Sequence, residues 1–286
     1  MRIALCLSGQ PRFVKQGFDY FKKNVFDVND TVDVFAFLWW DPSKIGKLHS
    51  EELIAKNDPR KTTVWQEGDL EDFKNSYGPW LKDFETDLEF DINMFPPEMY
   101  ETWGQFTREV CSMFYSYKKV NELKTKYEVE SGFKYDWVIR SRPDFAVNKP
   151  INFSELDNSK LYIPDTGIPR QHNFAICNNF GFSSSEIMDT YCEIFDNLED
   201  YVLKNGCRLD GGESTMFHHL YRNGFETEKP GFQNLLLPNK HDRHKLQRIS
   251  DNRRSSKLPI MINQTYLKCY NGYTLNYGDA WIIRKY

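Results

Sequence analysis

The sequence predicts an α/β fold with a central, mostly parallel sheet flanked by helices, and two patterns support that prediction. Residues 2–7 and 32–38 are apolar runs typical of buried strands, and residues 13–26 between them have the apolar spacing of a helix. A strand, a helix and a strand in this order indicate a parallel βαβ unit. The longest helical pattern, residues 103–127, then leads into a further strand at residues 135–140. Together these elements predict a Rossmann-like fold.

The remaining elements are predicted from local signals. Residues 62–65 are a candidate strand and residues 70–84 a candidate helix, within a charged stretch that contains several prolines. The serine-rich segment 183–186 resembles a capping box for a helix over residues 187–202. The Asn-Gly pair at residues 271–272 predicts the turn of a β-hairpin near the end of the chain.

The composition limits the class of protein. A chain of 286 residues without a Pro-, Ser- or Gly-rich linker predicts one domain. The formal net charge of -4 argues against a broad contact with nucleic acid or an anionic membrane, because both favour a basic surface. The apolar run at the N-terminus is too short for a signal peptide or a membrane span, and the scattered cysteines indicate reduced thiols. These features predict a cytoplasmic protein without a membrane span.

The first candidate site follows the first predicted strand and consists of Ser8, Gly9, Gln10 and Arg12. Glycine lets the backbone approach a ligand, glutamine offers a donor and an acceptor to a base edge, and arginine offers a fork to phosphate. The segment is neither a P-loop nor a GxGxxG dinucleotide motif. It predicts a nucleotide site, with an ordinary strand-to-helix turn as the alternative.

The second candidate site consists of Arg140, Arg142 and Asp144, at the end of a predicted strand where open α/β sheets bind their ligands. Asp144 is a candidate ligand for a divalent cation that bridges a diphosphate. Arg140 or Arg142 can neutralise the charge that develops on a leaving nucleotide. The alternative is an Arg-Asp ion pair at the surface.

Two further groups lie in the second half of the chain. Asp210 and Glu213 flank two glycines at the predicted start of a short helix, where either acid can serve as a general base or simply cap the helix. His241, within the charged cluster at residues 240–244, is a candidate metal ligand, and a solvated charged loop is the alternative. The sequence has no GxSxG elbow, which argues against a Ser-His-Asp hydrolase.

The order of two motifs resembles a loosely defined group of GT-A-like glycosyltransferases found in large algal viruses, phages and bacteria. These motifs are SGQPR at residues 8–12 and YDWVIRSRPD at residues 135–144, and the resemblance covers residues 1 to about 220. In GT-A enzymes a strand ends in an Asp-x-Asp motif whose acids hold Mn²⁺ or Mg²⁺ on the donor diphosphate. Here Arg142 stands at the first acid, and only Asp144 carries over.

The resemblance implies a GT-A fold in which residues 1–150 bind a nucleotide sugar and residues 151–286 bind a glycan acceptor. It implies Mn²⁺ or Mg²⁺ at Asp144 and a catalytic base at Glu213 first and Asp210 second. The implied reaction is an inverting transfer from a nucleoside-diphosphate sugar, UDP favoured, to a hydroxyl of the acceptor, in the cytoplasm of the host if the chain is viral. The alternatives are a non-catalytic nucleotide- or carbohydrate-binding protein of the same fold and a sugar-phosphate nucleotidyltransferase.

Overall fold

The computed structural model describes most of the first 225 residues and three short backbone segments beyond them. The described residues are 1–48, 64–101, 106–147, 150–164, 178–205, 207, 209, 212–225, 246–248, 261–263 and 280–284.

Strands and helices alternate through the first half of this part of the chain. The strands are β1 (Ile3–Gly9), β2 (Val32–Trp39), β3 (Leu81–Asp87), β4 (Trp137–Ser141), β5 (Phe145–Val147), β6 (Lys160–Pro164), β7 (Gly181–Ser183), β8 (Leu246–Arg248), β9 (Met261–Asn263) and β10 (Ala280–Arg284). The α-helices are α1 (Val14–Phe21), α2 (Asp69–Tyr77), α3 (Glu98–Glu101), α4 (Phe106–Ser131), α5 (Ser185–Cys192) and α6 (Glu213–Arg222).

The main sheet has a parallel half and an antiparallel half, in the order β3-β2-β1-β4-β7-β6-β10-β8. β1 pairs in parallel with β2 and with β4, and β2 pairs in parallel with β3. The pairings beyond β4 are antiparallel. The predicted α/β architecture and its βαβ start are therefore confirmed, and the order 3-2-1-4 of the parallel strands is compatible with a Rossmann-like fold.

The strand order also defines a switch point in the sheet. From β1 the chain moves outward to β2 and β3, then returns to place β4 on the other side of β1. Ligands of open α/β sheets bind outside the carboxyl ends of the strands at such a switch point.

Helices cover both faces of the sheet, and β1 shows why. Its side chains alternate between the faces, as in any strand. Ile3, Leu5 and Leu7 belong to the core under α1 and α2, whereas Ala4 and Cys6 belong to the core under α4, α5 and α6. All of these side chains are buried, so the strand is apolar throughout, which is typical of a parallel strand covered on both sides.

Helix α4 is the longest described element and confirms the long helical pattern. Val110, Phe114, Tyr117 and Val120 are fully or almost fully buried along one face. Gly132, with a φ of 69°, follows the last helical residue in the left-handed conformation that glycine adopts at helix ends. The predicted stop at this glycine is therefore confirmed.

The prediction of one helix over residues 70–84 was wrong in its second part. Helix α2 ends at Tyr77, a single 3₁₀ turn covers Gly78–Trp80, and β3 follows at the edge of the sheet. Pro79 in that turn has no backbone N–H and cannot continue a hydrogen-bonded helix. β3 is an edge strand, hydrogen-bonded to the sheet on one side only, and its side chains are half-buried or exposed. Its sequence is therefore polar, and it was not recognised as a strand.

The predicted capping box is also not formed. Ser183 is the last residue of β7, and Ser184 is the N-cap of α5 without a hydrogen bond from its side chain. The hydroxyl of Ser185 instead donates to Glu128 Oε1 on α4, at 2.7 Å. Ser185 therefore links two helices rather than closing the end of one.

The other local predictions are covered only in part. Val64 and Trp65 of the predicted strand form isolated bridges with Leu48 and Ile45. The predicted hairpin turn at residues 271–272 lies outside the described residues. Among the helices that the structure describes, none combines the length and the apolar character needed to cross a membrane.

Candidate functional site

The segment that follows β1 is shaped by its backbone. Ser8 and Gly9 are the last two residues of the strand, and Gly9 has a φ of 117°, which side-chain-bearing residues rarely adopt. Phe13, just before α1, has a φ of 52°, an unusual value for a bulky residue. The chain therefore turns sharply between β1 and α1 and places Gln10 and Arg12 at the carboxyl end of β1, where Arg12 Nη1 donates to Gln10 Oε1 at 3.3 Å.

The segment that follows β4 meets this turn through Asp144. Arg12 Nε donates to Asp144 Oδ2 at 2.6 Å. Arg142 donates to both oxygens of the same carboxylate, from Nε at 2.8 Å and from Nη2 at 2.6 Å. Asp144 is buried, with 1% of its side chain exposed. The predicted Arg-Asp ion pair therefore exists, but it lies inside the protein and joins the two candidate sites.

The position of this segment is fixed by close packing against α1. A Cβ atom on Gly17 of α1 would lie 1.9 Å from the carbonyl oxygen of Pro143, so only glycine permits the observed contact. The backbone just before Asp144 is thus packed directly against α1.

Arg140, in β4, is a fully buried cation that contacts the end of β1. Its Nη2 donates to Ser8 Oγ at 3.0 Å, its Nη1 donates to the Asn178 carbonyl at 2.7 Å, and its guanidinium stacks over the Tyr117 ring, 3.3 Å from the centroid. Among the described residues, no carboxylate forms an ion pair with it, and its buried Nε has no acceptor there. Arg140 therefore contributes a positive charge that no described acid neutralises by contact.

The positive charge of Arg140 influences the pKa of a neighbouring thiol. Burial raises the pKa of Cys192 to about 12, and among the opposing influences that of Arg140 is the largest. Arg12, Arg140, Arg142 and Asp144 together carry more positive than negative charge. An anion is the ligand that such an arrangement attracts.

The start of α6 lies against a residue that contacts Arg140. Gly212 has a φ of 82°, and a Cβ there would lie 2.7 Å from Met113 Cε and 2.8 Å from Asn178 Nδ2. Glu213, the first residue of α6, is half-buried. Because the carbonyl of Asn178 accepts from Arg140, Asn178 links this helix start to Arg140.

The two remaining predicted site residues, Asp210 and His241, lie outside the described residues. At Asp144 the donor set does not fit a divalent cation, because both carboxylate oxygens already accept hydrogen bonds from guanidinium groups. Two fixed positive charges in contact with the only carboxylate of the cluster also oppose a cation. Within the described residues, no group of three or more His, Cys, Asp and Glu side chains could hold a metal ion.

Three residues that contribute to the site were not predicted from the sequence. Tyr117 fits the apolar stripe of α4, Tyr191 fits that of α5, and Asn178 precedes β7 without any motif. The hydroxyls of both tyrosines donate to the carbonyl of Asn178, which Arg140 also contacts. The available signal was a tyrosine, with its polar end, in an otherwise apolar helix stripe beside a strand that ends in arginine.

The site therefore consists of the ends of two neighbouring parallel strands, an interlocked set of arginines around one carboxylate, and a helix start that carries an acid. Neither the known protein-family models nor the curated proteins provide a match to this chain.

Proposed function

We propose that this protein is a glycosyltransferase of the GT-A type, which moves a sugar from a nucleoside diphosphate, UDP favoured, to a hydroxyl of a glycan acceptor. One observation carries the proposal: guanidinium groups from the ends of β1 and β4 converge at the switch point of the sheet. This is where open α/β sheets bind nucleotides, and the excess positive charge suits a diphosphate.

Arg12 and Arg142 are the residues that contact the diphosphate in this proposal. Both use part of their guanidinium group on Asp144, and the Nη2 of Arg12 and the Nη1 of Arg142 donate to no described residue. Arg142 is the more exposed, with 22% of its side chain accessible. A guanidinium that is already oriented binds phosphate oxygens with little further loss of side-chain freedom.

Glu213 is the general base in this proposal. The oxygen of the acceptor hydroxyl attacks the anomeric carbon of the donor sugar and gives its proton to the Glu213 carboxylate. The bond from the anomeric carbon to the phosphate oxygen breaks on the opposite face, and the nucleoside diphosphate leaves with the bonding electrons. The arginines stabilise the charge on that leaving group. The configuration at the anomeric carbon is inverted.

The proposed reaction takes place in the cytoplasm, that of the host if the chain is viral. Cys6, Cys111, Cys192 and Cys207 are free thiols, which is the state that a reducing compartment maintains. The acceptor is bound by the second half of the chain in this proposal.

The first experiment measures binding and then turnover. Calorimetric titration of UDP, GDP, ADP, CDP and dTDP identifies the base, and the release of that nucleotide from its sugar donors measures turnover with a panel of glycan acceptors. We expect Glu213→Gln to keep nucleotide affinity and to lower turnover by about 100-fold or more, because it cannot accept the proton.

The matched control is Glu186→Gln, which changes an exposed acid in the first turn of α5 and leaves the arginine cluster intact. We expect this variant to match wild type in binding and in turnover. Nucleotide binding without turnover of any donor would support the non-catalytic alternative. If no nucleotide bound, the transferase proposal would be refuted.

A further inference from the structure

The carboxylate of Asp144 has a role that differs from that of an Asp in an Asp-x-Asp motif. We propose that the site binds the donor diphosphate without a divalent cation, and that Asp144 is a positioning residue that orients Arg12 and Arg142 toward the phosphates. The inference rests on the proposed function, and it assigns to the arginines the neutralisation that a metal ion supplies elsewhere.

The hydrogen bonds of Asp144 are the first support. Arg142 binds it with two parallel N–H groups, at 2.8 and 2.6 Å, in the fork-to-carboxylate geometry that fixes a guanidinium plane. Arg12 adds a third donor at 2.6 Å. A metal ion could reach the carboxylate only after displacing charge-assisted bonds in a buried place. The same bonds determine where the remaining N–H groups of the two arginines point.

The charges of the cluster are the second support. Each phosphate of a sugar-linked diphosphate carries about one negative charge, and the three arginines exceed the single carboxylate by a comparable amount. A cation added to this cluster would meet guanidinium groups rather than free carboxylate oxygens. The cluster therefore already provides the positive field that the diphosphate requires.

The rigidity of the segment is the third support. The carbonyl of Pro143 lies where a side chain on Gly17 would be. The backbone just before Asp144 is therefore packed against α1 and has little room to turn the carboxylate away from the arginines and toward a metal ion. A carboxylate that is held in one orientation serves as a fixed acceptor.

The test is calorimetric titration of UDP, or of whichever nucleoside diphosphate binds, into the full chain in EDTA and in excess Mn²⁺. We expect the two dissociation constants of wild type to agree within about threefold. Asp144→Asn is expected to weaken the binding of UDP by about tenfold or more in both conditions, and that of UMP by less, because UMP offers the arginines one phosphate where UDP offers two. Damage to the fold alone would weaken both nucleotides alike.

Two more variants keep the test decisive. Arg142→Lys retains the charge but loses the fork, and we expect a similar loss of UDP affinity in both conditions. Arg2→Gln is the control, because Arg2 precedes β1 at the opposite end of the sheet, where its guanidinium stacks on Phe133 at 4.0 Å. This variant is expected to bind like wild type.

The outcomes separate the inference from the proposed function. Binding of UDP to wild type only in Mn²⁺ would overturn the inference and leave the function intact, and this comparison holds even if Asp144→Asn does not fold. The absence of nucleotide binding in both conditions would refute the function and the inference together. Equal binding in EDTA and Mn²⁺, with a loss in Asp144→Asn that is larger for UDP than for UMP, would support both.

Discussion

Arg140 is retained in the core although burial of a cation without an acid is unfavourable. Its neighbours are neutral groups: the Ser8 hydroxyl, the Asn178 carbonyl and the Tyr117 ring. Replacement of buried ionic groups by apolar ones of similar size is often neutral or stabilising. The carbonyl of Asn178 would also keep its two tyrosine donors. We therefore expect Arg140 to serve the proposed ligand rather than stability.

Arg140→Met is the corresponding prediction. We expect a free energy of unfolding equal to or above that of wild type, measured by urea denaturation without ligand. Nucleotide affinity should fall by at least about tenfold, which corresponds to roughly 1.4 kcal/mol, because the positive field beneath the phosphates is lost. A variant that is destabilised by more than about 2 kcal/mol yet binds nucleotide normally would assign Arg140 a purely structural role.

The sequence predicted those residues of the site that follow the end of a predicted strand. The apolar runs located the ends of β1 and β4, and a parallel sheet brings such ends to one edge, so Arg12 and Asp144 could be expected near each other. The sequence could not show that Asp144 would be saturated by arginines, because that depends on side-chain geometry across a long separation. For the same reason, the contribution of Asn178 was not foreseen.

Helix α6 is anchored by a histidine that remains neutral. His219 is fully buried; its Nε2 donates to the carbonyl of Thr190 in α5 at 2.6 Å, and its Nδ1 accepts from the Tyr201 hydroxyl at 2.9 Å. Burial lowers the pKa of His219 to about 4; the hydrogen bond to Thr190 opposes this shift and His218 adds to it. Burial, and then the charge of nearby Arg222, lower the pKa of His218 to about 4 as well.

The folded protein is therefore expected to lose stability in mild acid. Because the folded-state pKa of His219 lies below its unfolded value of about 6.5, its contribution is complete above that pH and declines as the pH falls toward 4. Between pH 7 and pH 5 the decline is about 1–2 kcal/mol. His219→Gln, which can still donate to Thr190, should show a smaller difference between the free energies of unfolding at these two pH values.

His218→Gln is the comparison, because the His218 ring is only partly buried and its Nε2 lies 3.3 Å from the side-chain oxygen of Asn205. We expect this variant to reduce the pH dependence by less than His219→Gln does, because solvent at the partly exposed His218 ring screens the influences that lower its pKa. An unchanged pH dependence in His219→Gln would contradict the assignment of a neutral, buried imidazole.

The elements of the fold were predictable where one periodicity dominates. α4 was located because its apolar face recurs over many turns and a glycine follows it. β3 was missed because Lys, Asp and Glu dominate a strand whose outer edge faces solvent, so no apolar alternation is left to detect. The antiparallel half of the sheet was not foreseen, because β7 and β6 are short and their pairing is set by contacts between distant segments.

One sheet extends through both halves of the chain. β7 and β6 continue it beyond β4. Residues 1–150, the predicted nucleotide-binding half, therefore contain only part of the sheet. α4 also depends on residues from the second half. The Tyr115 ring packs on Phe195, just beyond α5, with ring centroids 5.1 Å apart. The Tyr117 ring stacks on Tyr191 of α5 at 6.2 Å, and buried Lys124 Nζ lies 2.6 Å from Asp189 Oδ1 of the same helix.

A fragment of residues 1–150 is therefore expected not to fold by itself. Several large side chains of α4 would become exposed, and the exposure of each one costs about 1.5–3 kcal/mol of folding free energy. A typical domain is stable by only about 5–15 kcal/mol. Near-ultraviolet circular dichroism and urea denaturation should show no cooperative transition, in contrast to the full chain. Co-expression with residues 151–286 should restore it if the missing partner surface is the cause. A cooperative, nucleotide-binding fragment would instead show that residues 1–150 form an independent domain, and that the sheet beyond β4 is an addition to a complete fold.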